Sequence, residues 1–144
     1  MATREQAMTA LLALLAATAQ FVTIGRRNRD PESLSPAESP ALFLVEHSEN
    51  YDRKSRSLPA IRRLHVKAIF YNDSGDNTDV IPSTPINNAL DSLDLALKPD
   101  SPMTGAFTLG GLVTSLMIDG EIEKAPGDVT GKSLAVVPLV IELP

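Results

Sequence analysis

Apolar and polar residues alternate along this chain in two distinct periods. Near the N-terminus Met8, Leu11, Leu12 and Leu15 fall at i, i+3, i+4 and i+7. That spacing predicts a helix with one apolar stripe. Thr3 and Gln6 stand at the spacing of a capping box, which satisfies free N–H groups where a helix starts. A second helix is predicted to open at a capping Thr84, with Pro85 in its first position. Ile86, Leu90, Leu93 and Leu97 then repeat at helical spacing, and Lys98 and Pro99 close the helix.

Elsewhere the period is two. Between Ile61 and Tyr71 the residues Leu64, Val66, Ala68 and Phe70 point one way, and His65, Lys67, Ile69 and Tyr71 the other. Ala135, Val137, Leu139, Ile141 and Leu143 share a face of a final strand over 134–143. Pro138 within it predicts an edge strand or a bulge. Further strands are predicted at Phe21–Ile24, Ala41–Val45 and Leu112–Glu123. The order is α-β-β-β-α-β-β. It predicts an α+β fold: one mixed, mainly antiparallel sheet of about five strands, with two amphipathic helices on one face. Its 144 residues fit a single domain over 1–144. The polar connections at 26–40, 48–60 and 72–83 are long for a compact domain. Ordering so much loop is costly, so these segments are expected either to stay disordered at the surface or to be ordered by neighbouring subunits.

Composition narrows the chemistry. There is no cysteine and no tryptophan, and there are two histidines. Disulfide scaffolds, thiolate metal sites and cysteine nucleophiles are thereby excluded, and an aromatic platform for single-stranded nucleic acid is disfavoured. The net charge of −5 is unevenly spread. Residues 1–72 carry ten Lys/Arg and seven Asp/Glu, and residues 73–144 three and eleven. Unlike halves suit contacts between copies in a head-to-tail ring. The pI of 4.9 argues against nucleic-acid binding by the whole domain.

Candidate sites are few. Arg26, Arg27 and Arg29 follow the first strand, and Arg62 and Arg63 open the third. They are candidates for bidentate contacts with carboxylates of another subunit. Asp119, Glu121 and Glu123 alternate and are expected to line one strand face, as solvated acids or as the wall of a passage. A carboxylate pair can also do acid–base work or hold a hard cation, but no partner base or nucleophile accompanies these. Asp73, Asp76 and Asp79 have the spacing of a calcium loop, with Thr84 where the closing glutamate belongs. His47 and His65 read as structural. Gly110-Gly111 reads as a strand opening or bulge and not as a phosphate cradle. The apolar run Ala7–Ala17 is too short to span a bilayer. Followed by Ala17-Thr18-Ala19 it has the outline of a secretory signal, yet Arg4 and Glu5 cancel where a signal is positive. A folded helix is the favoured reading. A secreted binding module with a cleaved N-terminal signal is the alternative.

Several stretches resemble the tail terminator (tail completion) proteins of long-tailed bacteriophages. They are Phe21-Val22-Thr23-Ile24-Gly25-Arg26-Arg27, Pro40-Ala41-Leu42-Phe43-Leu44-Val45-Glu46-His47, Leu109-Gly110-Gly111-Leu112-Val113 with Gly120-Glu121-Ile122-Glu123, and Val136-Val137-Pro138-Leu139. The element order is similar across nearly the full chain. The resemblance implies a structural virion protein, neither an enzyme nor in need of a cofactor or metal, assembled in the bacterial host cytoplasm. It implies a sixfold homo-oligomeric ring on the tail tube at the head–tail junction. That ring stops tube polymerisation and meets a head-side connector protein, while DNA passes through without specific binding and no membrane is involved. Another head–tail connector or tail-tube subunit is the nearest alternative.

Overall fold

The structure is a computed structural model that describes residues 2–18, 20–127 and 129–144. Ala19, the last residue of the signal-like Ala-Thr-Ala run, lies outside the described residues. Helix α1 (Arg4–Thr18) is followed by β1 (Thr23–Gly25), β2 (Ala41–Asp52) and β3 (Ile61–Asp73), then α2 (Thr84–Ala96), β4 (Ser115–Ile118), β5 (Glu123–Ala125) and β6 (Lys132–Leu143). The fold is α+β, with both helices on one face of a mixed sheet.

Helix α1 starts as its sequence predicts. Thr3 Oγ1 accepts from the Gln6 N–H at 3.1 Å, and Gln6 Oε1 accepts from the Thr3 N–H at 2.9 Å. Its inner stripe is Ala7, Met8, Leu11 and Leu15, all fully buried, with Leu12 only half-buried. Helix α2 begins at Thr84 with Ser83 in the cap position and no side-chain cap bond. It buries Ile86, Ala89, Leu90 and Leu93.

The strand order is β1-β2-β3-β6-β4, and β5 also pairs with β6. Strand β1 runs parallel to β2, and every other pairing is antiparallel. Leu42 and Leu44, then Leu64, Val66, Ala68 and Phe70, and the five alternating residues Ala135 to Leu143 all face the helices and form the main core. Phe21 packs its ring against Phe70 at 5.5 Å between centroids.

Three expectations are corrected here. The strand expected over 112–123 is two short strands, because Pro138 sits opposite the break. β4 pairs with β6 only from Leu139 onward, and β5 only up to Val136. Proline has no N–H for a continuous partner strand. The chain therefore leaves the ladder at Asp119, whose N–H donates to the Pro138 carbonyl at 3.1 Å. Gly120, at φ +118°, makes the turn that follows. Pro138 thus lies in an interior strand, at a local gap, and not at the edge of the sheet.

The second correction concerns the connection at 48–60. Ser48 to Asp52 continue β2, past a bulge between Glu46 and Ser48. All five are exposed, so no buried face imposes an alternation by which sequence could reveal the strand. Residues 72 and 73 likewise belong to β3.

Third, the segment 26–40 is ordered by its own chain. It folds as two single 3-10 turns, Pro31–Ser33 and Pro36–Glu38. Leu34 is buried against Ala41, Phe43 and Tyr71 on the face opposite the helices. Lys132 pairs with Glu32 at 3.2 Å, Thr23 Oγ1 donates to the Glu38 carbonyl at 2.7 Å, and Ser39 Oγ donates to the Asp73 carbonyl at 3.0 Å. Beneath this strap the Tyr71 hydroxyl is buried with no hydrogen-bond partner among the described residues. Burial pushes this phenol above its ordinary pKa.

Candidate functional site

The sheet has two unlike edges. On the β1 side, among the described residues, only Ala41–Phe43 of β2 has an outer partner strand. From Leu44 to Asp52 the outer backbone of β2 pairs with no strand among the described residues. An open strand edge invites pairing. Here it is blunted by the bulge at His47 and by Glu46, Glu49 and Asp52. On the other side β6 is covered by strands of only four and three residues, with the β4–β5 turn between them.

The candidate arginines are drawn largely into their own chain. Arg26 donates to Glu5 at 2.7 Å and lies 3.8 Å from Glu46. That hydrogen bond holds the Glu5 carboxyl below its ordinary pKa. Arg29 pairs with Glu38 at 2.8 Å. Arg63 reaches Asp52 at 3.5 Å and Glu142 at 3.7 Å, and Arg62 donates to the Pro144 carbonyl at 3.0 Å. Arg27 alone of the five is exposed with no such contact among the described residues. The carboxylates expected on another subunit are thus supplied to three of the five by this chain. Sequence could not show this, since the partners lie up to 79 positions away.

Asp119, Glu121 and Glu123 do not line one strand face. Asp119 and Glu121 stand on the β4–β5 turn, and Glu123 is the first residue of β5. All three are exposed, and none forms an ion pair among the described residues. The expected alternation fails because the strand ends at Ile118.

Sequence reasoning passed over a basic hairpin tip. Arg53, Lys54 and Arg56 occupy the connection between β2 and β3, all exposed and without a carboxylate partner among the described residues. The signal was available: residues 53–63 hold five cations and no acid. At the base of this hairpin the first turn of α1 is tied down. Arg4 donates to Glu49 at 2.7 Å and to Tyr51 at 2.9 Å, which raises the guanidinium pKa and lowers that of Glu49.

The face of the sheet away from the helices is only partly covered. Leu34 seals one end. Beyond it Val45, Ile69, Val136 and Pro138 are half-buried around Lys67, and Met117 is exposed. Apart from Lys67 this patch is apolar.

The remaining candidates are structural in their contacts. Asp100 accepts from the Thr108 N–H at 2.7 Å, the Thr108 hydroxyl at 2.8 Å and the Gly110 N–H at 3.0 Å. Donation by Gly110 and Thr108 holds its carboxyl below its ordinary pKa. Leu109, Gly110 and Gly111 all have positive φ in this turn, and a carboxylate of the same chain occupies its amides. Gly110-Gly111 is thus a turn ahead of β4, neither strand opening nor bulge. His65 Nε2 lies 2.6 Å from Asn50 Oδ1, and His47 sits exposed at the bulge. The Asp73 carboxylate accepts from the Gly75 N–H at 2.9 Å. Among the described residues no group of three or more acids or histidines is placed to hold a metal, and no helix is long and apolar enough to cross a membrane. In sequence comparison the chain matches no protein family and no curated protein.

Proposed function

We propose that this chain is a structural ring subunit, one that closes the head-proximal end of a phage tail tube, halts its polymerisation and joins it to the head-side connector. The carrying observation is the pair of unlike open edges on one sheet. Contact between two different surfaces of identical copies is heterologous, and such contacts generate rings when the rotation closes. The outer backbone of Leu44–Asp52 and the interrupted β4–β5 edge are two such surfaces. The blunting of the β2 edge favours a defined neighbour over indiscriminate strand pairing. Arg27 stands beside the β1 edge, free to meet a carboxylate of that neighbour. The family resemblance adds the tube and the connector as the partners along the axis, with DNA passing through the ring unread and no cofactor.

Genetics and microscopy of the virus that encodes the chain test this reading. Its loss should give tails of unregulated length. Labelled chain should decorate one ring at the head-proximal end. Decoration of every ring along the tube would instead make it a tube subunit, and absence from purified particles would overturn the reading altogether.

A further inference from the structure

We infer that the basic hairpin tip, Arg53, Lys54 and Arg56, docks against the acidic β4–β5 turn, Asp119, Glu121 and Glu123, of a neighbouring copy. This inference rests on the reading that copies meet head to tail, and it names the side chains that join them.

Three observations carry it. Tip and turn are both exposed, and neither has an ion-pair partner among the described residues. Each is compact: three cations in four residues, and three carboxylates in five. Nor can they meet within one chain. Asp119 sits beside Pro138, which pairs with Lys67 of β3, whereas the tip begins beyond Ile61. Two strand spacings from β3, or three from β2, and six residues of strand separate them, roughly 22–25 Å in all. An arginine side chain spans far less, so only a second molecule can bring them together.

Other acids fit less well. Asp91 and Asp94 are exposed on α2 beside the exposed Leu95, and Asp76 and Asp79 lie apart in a separate loop. Nucleic acid is the competing polyanion for the tip. Residues outside 53–63 carry the whole acidic excess of a chain whose net charge is −5, and that field repels a duplex approaching the molecule. The turn of a second copy offers its carboxylates locally, at an edge where the sheet is already interrupted.

The chain has no cysteine, so Ser57→Cys provides one attachment point for a spin label at the tip. Labelled protein is mixed at low ionic strength with an isotope-labelled copy carrying no spin label. The amides from Asp119 to Glu123 of the second copy should broaden most. Broadening elsewhere, or none, overturns the contact. Reversing the tip with Arg53→Glu, Lys54→Glu and Arg56→Glu should weaken association by about tenfold or more. So should Asp119→Lys, Glu121→Lys and Glu123→Lys, whereas the two reversed proteins mixed with each other should associate, because each reversed patch then faces its complement. Both reversals combined in one chain should restore association to within about threefold. Absence of that rescue overturns the inference. Tip amides that shift on adding a short DNA duplex, with the turn unbroadened by the spin label, make nucleic acid the partner instead. Rings that form with the turn untouched overturn this contact alone. A tip-to-turn contact confined to two-copy particles preserves it and overturns the ring.

Discussion

The two faces of the sheet draw on similar side chains and meet different fates. Beneath the helices Leu44, Val66, Phe70, Val137 and Ile141 are shielded almost completely from water. On the opposite face Val45, Ile69 and Val136 alternate with them along the same strands, yet they are only half-buried. Two helices cover the first face, and one proline-flanked strap with Leu34 covers an end of the second. Apolar burial stabilises in proportion to the area removed from water. The covered face therefore carries most of the stability, and the open one keeps part of its apolar surface in water. The lesson is that apolar alternation identifies two faces of a strand but does not say which one a helix will cover.

Matched truncations on the two faces probe this difference most strongly. Phe70→Ala should cost about 3–5 kcal/mol in chemical denaturation, through lost transfer energy and the cavity left behind. Val136→Ala, on the same sheet but facing outward, should cost no more than about 1 kcal/mol. Equal losses would break the comparison. At the strapped end the effect should be intermediate. Leu34→Ala should cost about 2 kcal/mol and speed amide exchange across 30–39, while Tyr71→Phe removes a buried hydroxyl that has no partner among the described residues and should be neutral or mildly stabilising. A large loss in the tyrosine variant would mean that the hydroxyl has a partner.

The smallest effect is expected at Asp100, in the loop ahead of β4. Its carboxyl is held below the ordinary value by the Gly110 and Thr108 donors. A folded-state pKa depressed in this way contributes stability above the unfolded value and loses it as pH falls through the folded one. Asp100→Asn should therefore be the less stable protein at neutral pH. Its deficit should shrink from about pH 4 downward. A deficit independent of pH would assign the effect to the loop's shape and not to the charge.

Much of this was legible in advance. The capping box at Thr3 and Gln6, the stripe of α1, and the alternations of β3 and β6 follow from neighbours a few positions apart. The surroundings of the charged side chains were less legible. Arg26, Arg29 and Arg63 looked available until distant parts of the same chain supplied their carboxylates. Asp119, Glu121 and Glu123 looked like one strand face until the break opposite Pro138 put two of them on a turn.

Sequence by itself determined the two helices, the inward-facing residues of the long strands and the uneven distribution of charge, because each depends on local spacing or simple composition. Only the tertiary structure decided that β1 joins β2 in parallel, that β6 lies inside the sheet, that the 26–40 strap folds onto its own domain, and that tip and turn stand too far apart to neutralise each other. Those outcomes depend on which distant backbone groups find partners, and local spacing carries no record of that choice.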